Sequence, residues 1–367
     1  MKILILSDFP APYRIAVFKG LAEKCEVTAF FNNATSDSRD EKFYATSNDS
    51  FRFYILDNDE SFTLYKNCIK NIKDFDIVLS YDPWNPRTRA LSRLCMRKRI
   101  PYILNADGAL SINVNFLKKL VKSFYTKRAT LCFCGCKRSE EYFKTYGAKD
   151  HQIVVHPFSS VTRDKVLNAP LSEEEKAKIK RELGIDEQPL FISVGQFIHR
   201  KGFDLLLDAW SKTDQDAQLY IIGGGPLKEE YLNYIKEKKL KNVHIIDFLT
   251  PDVLERYYLS ADVYLMPTRE DIWGLVINEA MAYALPIITS KNCTAGNELV
   301  EDDVNGYLYE VNDTAKLAEY IKKLANDPNL RAKFAKNTLV KAKEQVLENI
   351  ISSHLEALNK VYKSKTK

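Results

Sequence analysis

One repeated feature limits what this chain can become. Short apolar runs alternate with stretches whose apolar residues recur every three or four positions. The runs fall at residues 2–7, 26–31, 51–56, 76–81, 102–105, 131–135 and 153–156, then at 190–194, 219–222, 243–247, 263–266, 287–289 and 307–309. A strand with one wet face alternates apolar and polar residues, whereas a strand apolar throughout is covered on both faces. Helices between such strands supply the cover, and a parallel sheet is the arrangement that alternation allows. The predicted fold class is α/β, with two Rossmann-like parallel-sheet domains facing a cleft at the carboxyl ends of their strands.

The alternation breaks once, at the charged run over residues 173–182, which follows Pro170 and Ser172 and is stopped by Gly184. The boundary is expected between residues 158 and 168. The predicted domains are 1–160, 161–340 and a C-terminal helix at 341–367 that packs back toward the N-terminal domain. A length of 367 residues suits this plan. The first residues read as a strand rather than a signal peptide, and no apolar run approaches the ~20 residues of a membrane span. Seven cysteines, an odd number, point to reduced thiols and a cytoplasmic location. Cys132, Cys134 and Cys136 alternate, which predicts three thiols on one strand face, buried and inert. A zinc site needs ligands folded around one centre, and neither these cysteines nor the five dispersed histidines have that spacing.

Charge is unevenly placed. Residues 1–160 carry 25 Lys and Arg against 17 Asp and Glu, and the remainder 29 against 32. Eleven basic residues and one acid, Asp107, lie between Arg87 and Arg128. Within that stretch Phe116, Leu117, Leu120, Val121 and Phe124 form an apolar stripe flanked by Lys118, Lys119, Lys122 and Lys127. The pattern suits an interfacial helix on an anionic membrane surface, and it equally suits a helix packed on the sheet with its lysines in water. Nucleic acid is not the expected partner, because no recognised motif interleaves aromatics with the basic residues.

The candidate site centres on residues 268–282. Asp271 stands in a loop after an apolar strand, Gly274 follows, and from Leu275 the pattern turns helical, with Glu279 about one turn inside. The first amides of a helix have no intrahelical partner and favour an anion. Gly274, lacking a Cβ, lets a ligand approach the backbone. A second loop, Gly195, Gln196 and then Arg200, Lys201 and Gly202, leaves a strand and enters a helix with two cations at its start. Those charges oppose the helix dipole unless an anion such as a diphosphate offsets them. Gly223, Gly224, Gly225 and Pro226 form a third turn. No P-loop or dinucleotide fingerprint is present.

With these residues in place the chain resembles the retaining, family-4 nucleotide-sugar glycosyltransferases of GT-B fold, most strongly over residues 189–309. The family pattern is a Glu, seven residues, then Glu-Ala-Met. Here Asp271 takes the place of the first Glu, and Glu279, Ala280 and Met281 follow at the required spacing, with Glu270 one position off. The resemblance implies that Asp271 holds donor-sugar hydroxyls and Glu279 the ribose. It implies that the amides of Gly274, Leu275 and Val276 meet the diphosphate, with Gly195, Gln196, Arg200 and Lys201 on its other side. Gln196 replaces a common Arg. Pro12, Tyr13 and Arg14 fall in the acceptor-side loop, and Asp107 falls where many members face the reacting sugar, so the implied catalytic residues are Asp271, Glu279 and Asp107. The implied activity is retaining transfer of a hexosyl group from a UDP- or GDP-sugar to a glycan or lipid-linked acceptor in bacterial surface polysaccharide or glycoconjugate synthesis. No cofactor or metal is implied. The implied location is the cytoplasm or the inner face of its membrane. A non-hydrolysing UDP-sugar 2-epimerase shares the two-domain plan, and a non-catalytic nucleotide-sugar-binding subunit would explain Asp271 and Gln196.

Overall fold

The structure, a computed structural model, describes residues 1–35, 51–81, 83–108, 114–213 and 216–366. It comprises two units, Met1–Ser160 with Val346–Lys367, and Val161–Gln345.

The first unit is built on β1 (Lys2–Ser7), β2 (Glu26–Phe31), β3 (Arg52–Ile55), β4 (Ile77–Ser80), β5 (Tyr102–Ala106), β6 (Leu131–Cys134) and β7 (Ile153–Val155). These form one sheet in the order β3-β2-β1-β4-β5-β6-β7, and the pairings are parallel. Its helices are α1 (Pro12–Ala22), α2 (Asp59–Lys70), α3 (Pro86–Lys98), α4 (Phe116–Thr126) and α5 (Lys137–Thr145). The reason for continuous apolar runs is visible in β1. Ile3 and Ile5 enter one core cluster, with Phe18 and Leu21 of α1, while Leu4 and Leu6 enter another, with Tyr142 and Phe143 of α5. Successive residues serve opposite faces, and both faces are dry.

The second unit repeats the plan. Strands β8 (Leu190–Gln196), β9 (Gln218–Gly224), β10 (Val243–Ile246), β11 (Val263–Met266), β12 (Ile287–Ser290) and β13 (Gly306–Tyr309) pair in the order β10-β9-β8-β11-β12-β13. Helices α6 (Glu173–Leu183), α7 (Phe203–Ser211), α8 (Lys228–Glu237), α9 (Pro251–Ser260), α10 (Leu275–Ala282), α11 (Thr294–Leu299), α12 (Thr314–Asn326) and α13 (Pro328–Glu344) surround them. Ser172 and Glu175 form a capping box at the start of α6, and Gly184 ends it in the left-handed region. Finally α14 (Leu347–Thr366) returns to the first unit, placing Leu347, Ile350, Leu358 and Val361 in the cluster of Phe18 and Ile3.

In each sheet the order reverses at its first strand, so β1 lies beside β4 and β8 beside β11. Connections leave such a pair toward opposite faces, and the gap at the carboxyl edge is where these sheets take ligands.

Two sequence expectations change. The acceptor-side loop expected at Pro12, Tyr13 and Arg14 is instead the start of α1, since proline's fixed φ and missing N–H suit the first helical position. Pro12, Tyr13 and Arg14 therefore form a first turn rather than a loop. Cys136 is not on the strand with Cys132 and Cys134, because β6 ends at Cys134 and Cys136 is the N-cap of α5. All seven thiols are free, and burial pushes that of Cys132 up to about 12.

Candidate functional site

At the reversal point of the second sheet two loops meet. The first leaves β8 after Gln196, makes one 3-10 turn at His199–Lys201 and enters α7 through Gly202. The second leaves β11 at Pro267 and reaches α10 through Asp271. Gly202 permits their approach. It adopts φ 70°, and a Cβ there would stand 2.1 Å from the carbonyl oxygen of Pro267.

Lys201 Nζ lies 2.6 Å from Asp271 Oδ2, and Arg200 lies 3.6 Å from the same oxygen. The other carboxylate oxygen accepts the Trp273 backbone N–H at 3.2 Å. Lys201 is mostly buried, whereas Arg200 is exposed and donates to the Glu270 carbonyl at 2.9 Å. The two cations do not sit on a helix, as the sequence suggested. They occupy the 3-10 turn ahead of α7, whose own first turn carries Asp204, an acid that suits the dipole. Asp204 accepts both arms of Arg269, at 2.7 and 2.6 Å, and Arg269 also donates to the His199 carbonyl at 2.9 Å. This bidentate pair fastens one loop to the other. The sequence offered no sign of it, since 65 residues separate the partners.

Gly274 has φ 102° and precedes α10, which has no capping side chain. The amides of Gly274, Leu275 and Val276 thus stand at an uncapped helix start beside Asp271. The need for glycine differs from expectation. A Cβ at Gly274 would meet Cys293 Sγ at 2.8 Å and Met266 Cε at 3.0 Å, so packing against the sheet, along with the positive φ, excludes a side chain.

Glu279 is half-buried on the same helix. Burial pushes its carboxyl above the ordinary value, while the Tyr258 hydroxyl, donating to Oε2 at 3.2 Å, pulls the other way. Tyr258 lies on α9, buried, with its ring stacked on Tyr283 at 5.2 Å. The sequence reading missed it. Gly195 and Gln196 pair in register with Gly223 and Gly224 of β9, so the glycine turn lies alongside the β8 loop. Glu270 is exposed.

The remaining candidates lie in the first unit, also at a reversal point. The structure joins two that were expected in separate roles. The Arg14 guanidinium donates to Asp107 Oδ2 at 2.8 Å, to Ser7 Oγ at 2.8 Å and to the Tyr13 hydroxyl at 3.2 Å. Asn105 donates to the other Asp107 oxygen. Arg14 is 7% exposed, so it is the inner half of a buried pair rather than an open acceptor contact. Tyr13 is half-buried against Phe158, with ring centroids 5.2 Å apart, while Pro12 is exposed.

Comparison with known proteins bears on the fold and on the second unit. Residues 175–340 match the family model described as Glycosyl transferases group 1. An uncharacterized glycosyltransferase of Haemophilus influenzae is 33% identical over 178 residues, 47% of this chain and 49% of that protein. The amylovoran biosynthesis glycosyltransferase AmsD of Erwinia amylovora is 28% identical over 175 residues, 47% of this chain and 49% of that protein. The match thus spans about half the length of these curated relatives. Across the whole fold, the HepE protein of Anabaena, solved in complex with UDP, superposes with a TM-score of 0.78 at 16% identity, covering 98% of this chain and 100% of that one. Residues 175–340 therefore belong to the glycosyl transferases group 1, carried in a chain with the GT-B fold of two Rossmann-like units.

Proposed function

We propose that the chain is a retaining glycosyltransferase. It moves a hexosyl group from a UDP- or GDP-sugar to a hydroxyl of a glycan or lipid-linked glycan in surface polysaccharide or glycoconjugate synthesis. The observation that carries this reading is the Lys201–Asp271 pair at 2.6 Å, set beside the uncapped amides of α10 within the family-matched stretch. A cation and free amides at one point suit a diphosphate, and a carboxylate in contact with that cation suits the hydroxyls of the attached sugar. The amylovoran relative and the UDP complex of the Anabaena protein are consistent with this substrate class.

In this reading Lys201 turns from Asp271 to the diphosphate as the donor binds. The freed Asp271 oxygen then accepts a sugar hydroxyl, while Trp273 N–H holds the other oxygen in place. Glu279 accepts from the ribose. When the glycosidic bond breaks, negative charge grows on the diphosphate, where Lys201 and the Gly274, Leu275 and Val276 amides already point. The reading assigns no side chain as nucleophile. The acceptor hydroxyl attacks from the face the leaving group departs from, and the departing phosphate removes its proton. The reaction in this form requires no metal.

Titration calorimetry with UDP and GDP tests the site. Lys201→Ala should weaken binding about 10- to 100-fold, the worth of a charge-assisted contact. Equal affinity would remove its role. Asp271→Asn and Glu279→Gln should each lower transfer about 10²- to 10³-fold in a folded protein, and unchanged turnover in both would undo the assignment. NMR of the product should show the donor's anomeric configuration. An inverted product, or a glycosyl adduct on Asp107 or Asp271 found by mass spectrometry, would overturn same-face attack.

A further inference from the structure

Helices α7 and α8 bury one core cluster together, through Leu206, Leu207 and Trp210 of the first and Tyr231 of the second. Between them opens a cleft of about 250 Å³, whose walls include Asp204, Leu207, Glu230, Tyr231, Tyr234 and Glu237. Three of these six side chains are acids and none is basic. Arg269 meets the head of the cleft, where it binds one arm to each oxygen of Asp204, at 2.7 and 2.6 Å. Each oxygen keeps a second acceptor position. Glu230 and Glu237 are exposed. Acids along a helix are ordinarily a solvated face. A buried atom sets this face apart. Tyr231 is 1% exposed, and its hydroxyl has no hydrogen-bond partner. Its ring packs edge-on against Phe197 and Phe203, with centroids 5.7 and 6.1 Å away, so the hydroxyl cannot swing to find one. Burial pushes this phenol above its ordinary value, and the charges of Asp204 and Glu230 add to the rise while Arg269 opposes it. The oxygen thus points toward the two carboxylates at the head of the cleft. Buried polar atoms in folded proteins are almost always paired. A group that donates to the phenol and both acids at once, and carries positive charge, completes this one.

An ammonium has three donors, enough for that bridge. The rest of the cleft suits a second one. Glu237 follows Glu230 by seven residues, two turns of α8, which sets it about 10 Å farther along the axis. Tyr234 stands between them on the same face, and Leu207 of α7 lines the cleft with it. The Tyr234 ring already takes a cation on one side, where Lys238 Nζ lies 5.8 Å from its centroid. We propose that this cleft binds a linear aliphatic polyamine of the spermidine type. One terminal ammonium lodges among Asp204, Glu230 and the Tyr231 hydroxyl, and the other reaches Glu237. The methylenes between them lie along Leu207 and Tyr234, and the extended molecule spans the same two helical turns. A bare metal ion does not suit the cleft, because among the described residues no group of three His, Cys, Asp or Glu side chains could hold one.

Titration calorimetry of the full chain with spermidine at low salt tests this without nucleotide or sugar donor, so its outcome is separate from that of the proposed transfer reaction. One site should saturate. Putrescine, too short to span both ends of the cleft, should bind about fivefold more weakly, the worth of one exposed ion pair. Glu230→Gln with Glu237→Gln should weaken spermidine binding about 25-fold, roughly fivefold per carboxylate. Thermal unfolding of that variant should be unchanged, because both positions are exposed. Tyr231→Phe keeps the ring and removes the unpartnered oxygen. Its unfolding temperature should hold or rise while spermidine affinity falls about fivefold, a split that a purely structural hydroxyl would not give. Magnesium at the same concentration should leave spermidine bound. The absence of saturable binding overturns the proposal, as does spermidine affinity indifferent to the double substitution or to Tyr231→Phe. Equal affinity for putrescine, or displacement by equimolar magnesium, overturns it in favour of diffuse charge attraction.

Discussion

Tyr258 contributes one oxygen to the site, and that oxygen works against the burial that pushes the Glu279 carboxyl up. Removing the hydroxyl leaves a carboxylate without its donor in the surroundings that already push it up, so Tyr258→Phe raises its pKa further. If the ionised form binds ribose, the acid limb of UDP affinity moves to higher pH while affinity at pH 8 changes little. Calorimetry from pH 5 to 8 checks it, and parallel profiles for both proteins would exclude the role. Gly274 answers to packing. Gly274→Ala forces a methyl to 2.8 Å from Cys293 Sγ at φ 102°, which should cost about 1–3 kcal/mol in chemical denaturation. A neutral substitution would mean that the α10 start relaxes freely.

Among the elements, α6 is charged along most of its length and yet is firmly seated. Lys176 and Lys180 reach Asp262, immediately before β11, at 2.9 and 2.8 Å, and Asp262 also accepts the Leu190 N–H that opens β8. Burial works to raise the Asp262 pKa, but the two lysines and the amide outweigh it and hold the carboxyl at about 2. Both partners of the inner pair are nearly inaccessible, so Asp262→Asn leaves a buried ammonium uncompensated and should cost about 3–5 kcal/mol. Urea titration of the variant checks this, and a loss under 1 kcal/mol would show that water reaches Lys180. Because Asp262 aligns the two strands whose loops build the site, loss of nucleotide affinity should accompany the loss of stability.

At the scale of the molecule, α14 closes the first unit through apolar contacts and one buried polar cluster. His354 accepts from the Tyr81 hydroxyl at 3.2 Å and stands 4.5 Å from the His156 ring. Its Nδ1 donates to the Ile350 carbonyl at 2.9 Å. Burial, and for His354 the neighbouring imidazole, hold both histidines below the usual 6.5. Both folded-state pKa values are depressed, so the unfolded chain takes up protons first as pH falls below 6.5. The stability they confer is whole above that pH and declines below it, by about 1 kcal/mol per pH unit for each residue. Thermal unfolding followed from pH 7.5 to 5 should show this decline, and His354→Phe should flatten it. An equal slope in the variant would place the acid sensitivity elsewhere.

How much the sequence determined depends on the range of the forces involved. Apolar periodicity is local, so residues 2–7, 26–31 and 263–266 could be read as strands directly, and two parallel sheets followed from their continuous hydrophobicity. The spacing of Asp271 and Glu279 was legible for the same reason, since only a short loop and the first turn of α10 separate them along the chain. Everything that joins distant residues was decided by the tertiary structure. Lys201 chooses Asp271, Arg269 chooses Asp204 and Arg14 closes on Asp107 across separations of 70, 65 and 93 residues, and no local pattern encodes such partners. The direction in which α4 turns its apolar side was equally undetermined. A helical period gives the angle between faces but not which face meets the protein. Here Lys122, caged by the rings of Trp84, Tyr142 and Tyr146, made that choice and left Phe116 and Leu117 exposed.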